Sequence, residues 1–184
     1  MNKRPKRFDP KSKYVRYDKK SGLWITQRKR IYLYWFKFLR IAEQDPDYKV
    51  DWSKYKGWGG GNYILGTKFD EFWEEKWQSL FGVKVMGGTA KFSLTTNQPK
   101  ADGIRYALLV YENKHRGSNW DIAKWTAKRE TSKRGAGLTN YTFHYALEDG
   151  SEGADTKLVI QSRVGRYKTA AKKYLSNVCV GQFP

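Results

Sequence analysis

Between residues 26 and 45 the chain carries more apolar surface than one neighbour could cover. Tyr32, Trp35, Phe36 and Leu39 fall at i, i+3, i+4 and i+7 and form one helical stripe. Tyr34, Phe38 and Ile41 form a second stripe beside it. A face that wide belongs to a central helix packed on several sides, so the fold has to be built around it. Pro46 ends the helix, because proline removes a donor and biases the residue before it away from helix. The same aromatics, beside Arg28, Lys29, Arg30 and Lys37, could stack on nucleic-acid bases. Their helical spacing weighs towards core packing.

Residues 47–66 read as short and irregular, with Val50, Trp52 and Tyr55 ahead of Lys56-Gly57-Trp58-Gly59-Gly60-Gly61. The glycines predict a loop. A phosphate-cradling loop would follow a strand and end in Lys-Ser or Lys-Thr, and that pattern is absent. Residues 67–81 predict a helix opened by a capping box over Thr67-Lys68-Phe69-Asp70. Phe69, Phe72, Trp73, Trp77 and Leu80 would face the core, and Gly82 would stop the helix. Asp70, Glu71, Glu74 and Glu75 sit on its first turns, where the helix dipole favours carboxylates. A metal-dependent nuclease would use such a cluster, but would add further acidic or His ligands. Lys91 to Thr96 reads as a short strand or an extended connector.

Pro99 to Arg134 reads as two helices joined by a turn. Ile104, Ala107, Leu108 and Tyr111 make the stripe of the first, and Pro99 is a favourable opening. Asn113-Lys114-His115-Arg116-Gly117 breaks the pattern. Ser118-Asn119-Trp120-Asp121 is a capping box. The second helix would turn Ile122, Ala123 and Trp125 to a core and Lys124, Lys128, Arg129, Lys133 and Arg134 outward. An apolar helix, a glycine turn and a capped basic helix form the outline of a helix-turn-helix. The Ala and Gly spacing usual in such units is only partly met.

Beyond Gly135 and Gly137, Tyr141, Phe143, Tyr145 and Leu147 alternate with smaller or polar residues, the period of a half-buried strand. Two continuations are open. Leu158 to Ile160 could pair back as a hairpin, giving a winged-helix-like unit. Alternatively, Ile160, Val164, Tyr167, Ala171, Tyr174 and Val178 step by fours and threes, a helix seam of about three heptads. That helix, with Asp155 as N-cap and Gly181 after its end, fits better. Its seam could pair two copies of the chain or pack on the chain's own core.

The 184 residues suit one domain with an arm. Thirteen Tyr, nine Phe and eight Trp argue for a globular core rather than a disordered basic protein. Cys179 stands alone, so there is no internal disulfide or cysteine zinc site, and it reads as a small core residue. No segment approaches the roughly 18 apolar residues of a membrane span. The start, Met-Asn-Lys-Arg-Pro-Lys-Arg, does not resemble a secretory signal. The expectation is an intracellular, soluble protein.

Net charge is +18 and is unevenly placed. Residues 1–30 hold 12 basic and 2 acidic residues, residues 100–134 hold 9 and 4, and residues 156–184 hold 6 and none. Residues 43–82 carry a net −3 and Glu148 to Asp155 a net −4. Concentration at an arm and two helices points to a polyanion, because each phosphate neutralised releases counterions. A generally basic surface without a specific ligand is the bland alternative.

The predicted fold is therefore mainly α. Residues 1–22 would be a basic flexible arm, interrupted by Pro5 and Pro10 and able to follow a phosphate backbone. Residues 23–184 would be one compact helical domain with a helix-turn-helix-like pair and a short strand or hairpin.

The placement of Tyr34-Trp35-Phe36-Lys37-Phe38-Leu39, Asp51-Trp52, Trp58-Gly59, Phe69-Asp70-Glu71-Phe72-Trp73, Trp77, Leu80-Phe81-Gly82, Asn177-Val178 and Gly181-Gln182-Phe183-Pro184 resembles a group of small uncharacterised proteins of tailed phages and prophages. The resemblance spans residues 30–184. It implies a phage-related origin, hence the host cytoplasm or a virion, and carries no activity or site residues with it.

The function expected first is non-enzymatic binding of nucleic acid, duplex DNA ahead of RNA, by a regulator or genome-associated factor. The residues expected to carry it are Lys3, Arg4, Lys6 and Arg7 of the arm, Arg116, Lys124, Lys128, Arg129, Lys133 and Arg134 of the helix pair, and Arg166, Lys172 and Lys173 of the last helix. A structural or assembly protein, forming a homo-oligomer whose arm meets genome or neighbouring subunits, is the alternative. A metal-dependent nuclease is the third. His115 and His144 lie in no catalytic motif, so no catalytic residue, cofactor, metal or membrane partner is expected.

Overall fold

The computed structural model describes residues 15–85, 88–96, 99–131 and 154–184; for 127–131 and 154–156 only the backbone is described. The fold is mainly α, with a small antiparallel sheet near its N-terminal end. The chain divides into two compact units, Met1–Pro99 with Leu175–Pro184, and Lys100–Tyr174.

The first unit begins with a hairpin. Strand β1 (Arg16–Asp18) pairs with β2 (Leu23–Ile25), placing Tyr17 opposite Trp24. Asp18 closes the turn, its carboxylate accepting from the Ser21 N–H (3.0 Å) and its carbonyl from Gly22 N (2.9 Å). The end of the expected arm is thus part of a sheet, a correction to its boundary; Lys3, Arg4, Lys6 and Arg7 lie outside the described residues. Helix α1 (Lys29–Gln44) follows and is the predicted central helix. Tyr32, Tyr34, Trp35, Phe36, Phe38 and Leu39 are all buried, as are Ile31 and Ala42, so the α1 aromatics pack the core and present no bases with a surface.

A second correction concerns residues 47–66. They hold a 3-10 turn (Trp52–Tyr55) and a short helix, α2 (Gly60–Gly66). Gly59 precedes it at φ +97°, a conformation glycine alone adopts freely, and a Cβ there would lie 2.6 Å from Tyr63 Cδ1. Thr67 ends α2, its N–H bonded to Tyr63 O. It is therefore not the cap of α3 (Phe69–Leu80). Lys68 holds that place, and a lysine has no acceptor, so only the reverse half of a capping box exists: the Glu71 carboxylate takes the Lys68 N–H at 3.4 Å. Phe72, Trp73, Trp77 and Leu80 are buried as predicted. Gly82 directly follows the Phe81 cap at the end of α3, as predicted, and also opens β3 (Gly82–Val83), which pairs antiparallel with β2 and completes the order β1-β2-β3.

The core of this unit is aromatic. Trp35 stands 5.5 Å from Trp58 and 5.7 Å from Phe183, and Trp58 stands 5.0 Å from Phe72. Tyr32 stacks on Phe81 at 4.2 Å. The Tyr55 hydroxyl accepts from Trp35 Nε1 (3.1 Å) and donates to the Val178 carbonyl. Residues 91–96 form a connector that bends at both ends, without a strand, held by Phe92 N–H to Leu80 O and Thr95 N–H to Phe183 O.

The second unit holds α4 (Ala101–Glu112), a 3-10 turn (Lys114–Arg116), α5 (Asn119–Thr131) and most of α6 (Ala154–Cys179). Val110 of α4, Ile122 and Ala123 of α5, and Ile160 and Val164 of α6 form one buried cluster, with Tyr106, Trp120 and Tyr167 packed around it. Leu158 to Ile160 are helical, so the hairpin alternative falls there. The helix begins at Ala154, so Asp155 lies inside it and not at the N-cap position. The strand expected over Tyr141 to Leu147 lies outside the described residues. Among the described residues no helix is long and apolar enough to cross a membrane.

Candidate nucleic-acid interface

The expected binding residues that the structure describes all belong to the second unit. Its three helices share one small core, and the cations stand on the faces turned away from it. Arg116, Lys124, Arg166, Lys172 and Lys173 are each exposed. Lys128 and Arg129 lie on α5, where only the backbone is described; Lys133 and Arg134 lie outside the described residues.

The turn between α4 and α5 is tightly specified. Asn113 is buried, with 4% exposure, and its Nδ2 donates to Leu109 O at 2.8 Å. Gly117 then takes φ +109°. Ser118 caps α5 as the sequence predicts: its Oγ accepts from Asp121 N–H at 3.2 Å, and the Asp121 carboxylate takes the Ser118 N–H at 3.1 Å. The Ser118 bonds, and after them Lys124, hold the Asp121 carboxyl below its ordinary value.

Three consecutive basic residues, Lys114, His115 and Arg116, line the turn and are exposed. Lys114 Nζ lies 4.1 Å from the Tyr111 ring centroid and 3.0 Å from its hydroxyl. The Arg116 guanidinium lies 4.3 Å from the Trp125 ring centroid, and its Nε donates to Asn113 Oδ1 at 2.7 Å. Trp125, expected in the core, is half-buried beneath this arginine.

The cations differ in compensation. Lys124 pairs with Asp121 at 3.2 Å, three residues back on the same helix, which spends part of its charge. Helix α6 carries no acid from Lys157 onward. Among the described residues Arg166, Lys172 and Lys173 have no carboxylate partner. Arg166 and Lys173 are seven residues apart, on one face and about 10 Å along the axis. The acid-free sequence made this legible. Lys114 was missed as a candidate, although its i, i+3 spacing from Tyr111 was available. The Arg116–Trp125 pair, nine positions apart across a turn, follows no periodic rule.

The acidic face of α3 is a different kind of site. Lys29 Nζ lies 2.7 Å from Asp70 and 4.0 Å from Glu74, and Lys76 Nζ lies 2.6 Å from Glu75, which also takes the Tyr63 hydroxyl. Among the described residues no group of three or more His, Cys, Asp or Glu could hold a metal ion.

Comparison with protein-family models, curated proteins and solved structures returns no match.

Proposed function

We propose that the protein is a non-enzymatic nucleic-acid-binding protein, phage-related, that holds duplex DNA as a regulator or genome-associated factor. The observation that carries this is the outer face of α6, where Arg166, Lys172 and Lys173 stand exposed on a helix without an acid from Lys157 onward. Cations left uncompensated by their own chain gain most from neutralising phosphates. The α4–turn–α5 pair adds a second basic face of helix-turn-helix outline on the same three-helix core.

The test is fluorescence anisotropy with duplex DNA, single-stranded DNA and RNA across about 50 to 300 mM salt, with unrelated competitor. Duplex binding that survives competitor and salt supports the proposal. Weak binding to all three polymers that collapses as salt rises reduces the charge to a general polyanion surface. A large symmetric oligomer formed without nucleic acid would favour an assembly protein instead.

A further inference from the structure

We infer that Arg116 is a pre-set fork for one backbone phosphate of duplex DNA, with Trp125 as its bed and Asn113 as its brace. The inference rests on the nucleic-acid reading above and assigns one residue a contact. Most surface arginines are mobile and lose rotamer freedom when they bind. Arg116 is exposed yet held at two points. Its cation lies over the Trp125 ring, 4.3 Å from the centroid, which holds the group against the ring. Its Nε bonds Asn113 Oδ1 at 2.7 Å, which sets the direction in which Nη1 and Nη2 point. Asn113 is itself set, because Nδ2 is spent on Leu109 O and the residue is buried. Among the described residues Nη1 and Nη2 bond no acceptor, and Arg116 has no carboxylate partner. Two parallel N–H donors held in this way match two oxygens of a phosphate.

Position selects phosphate over a base edge. Arg116 lies in the turn, two residues before the α5 cap, and not on the helix that would enter a groove. The helix N-terminus offers an anion little, since the Asp121 carboxylate already takes the Ser118 N–H. An anion approaching this end therefore meets the guanidinium.

The experiment titrates the full chain against two duplexes, one of A·T pairs only and one rich in G·C, across about 50 to 300 mM salt. Arg116→Ala should weaken binding about equally on both and flatten the salt slope by about one unit. Arg116→Lys keeps the charge and should keep the slope, but lose affinity several-fold because the fork is gone. Trp125→Phe should stay near the parent. Trp125→Leu, with circular dichroism confirming its helices, should fall to the Arg116→Lys level, and the double variant Trp125→Leu/Arg116→Ala should bind no more weakly than Arg116→Ala alone. Parent-level binding by Arg116→Lys, which touches no core residue, overturns the fork. Loss confined to the G·C-rich duplex overturns it in favour of base reading. If the parent binds neither duplex, the function proposed above falls too; if the parent binds and Arg116→Ala does not differ from it, this inference falls alone.

Discussion

Tyr55 shows how a single polar atom is accommodated in an aromatic core. Its hydroxyl accepts from Trp35 Nε1 and donates to the Val178 carbonyl, so three buried polar groups satisfy one another. Burial pushes the phenol well above its ordinary range. Tyr55→Phe leaves the buried indole N–H without its acceptor and takes from the Val178 carbonyl one of its two donors, Gly181 N–H remaining, and should cost about 1–3 kcal/mol, read as a lower urea midpoint. Trp58 is the contrast. Its Nε1–H is buried without an acceptor among the described residues, while its ring makes T-shaped contacts with Tyr55, Phe81 and Phe92. Gly181 is a residue the backbone requires. At φ +77° it ends α6 with Gln182 N–H on Asn177 O and Gly181 N–H on Val178 O, the two bonds of a Schellman motif. A Cβ there would stand 2.7 Å from Lys54 Cβ. Gly181→Ala should therefore destabilise by more than about 1 kcal/mol in the same urea assay.

At the scale of elements, α5 depends on its cap. Among the described residues Ile122, Ala123 and Thr126 form its face towards the core, and the bonds at its start satisfy N–H groups that the helix itself leaves unpaired. Ser118→Ala should cost about 1 kcal/mol, measured by thermal or urea unfolding. The Asp121 half of the box predicts a pH dependence. Its carboxyl is held below its ordinary 3.8, so its contribution is complete above that value and is lost as pH falls through the depressed one. The stability gap between the parent and Asp121→Asn should stand at neutral pH and close in acid. A gap independent of pH would show that the carboxylate charge plays no part in the cap. The capping box at Ser118 was legible because Ser and Asp sit three apart at the edge of an apolar period. The same pattern misled at Thr67, because a preceding helix claims that residue as its own end.

Across the whole molecule, the +18 charge matters less than where it is left uncompensated. Replacing Arg166, Lys172 and Lys173 together by Ala should flatten the salt dependence of duplex binding by about two to three units, if each neutralises a phosphate. All three are exposed, so the helix should survive, and circular dichroism checks that it does. An unchanged slope in the folded variant removes α6 from the interface. Lys124→Ala alone should move the slope less, since Asp121 already offsets that charge.

Local residue order was enough to place the long helices and the faces they bury. A helix repeats its contacts every three or four residues, so the stripe of α1, the stripe of α4 and the seam of α6 are written locally, and Pro46 and Ser118 mark boundaries. The other features arise from contacts between remote parts of the chain. Strands of two or three residues have no period to read; β3 exists because Gly82 and Val83 meet Ile25 and Trp24 from far along the chain. The division into two units depends on which contacts the remote ends of α6 find, and the placing of Arg116 on Trp125 depends on how a turn folds back. Neither leaves a mark in neighbouring residues, because both are set by distances through space rather than along the chain.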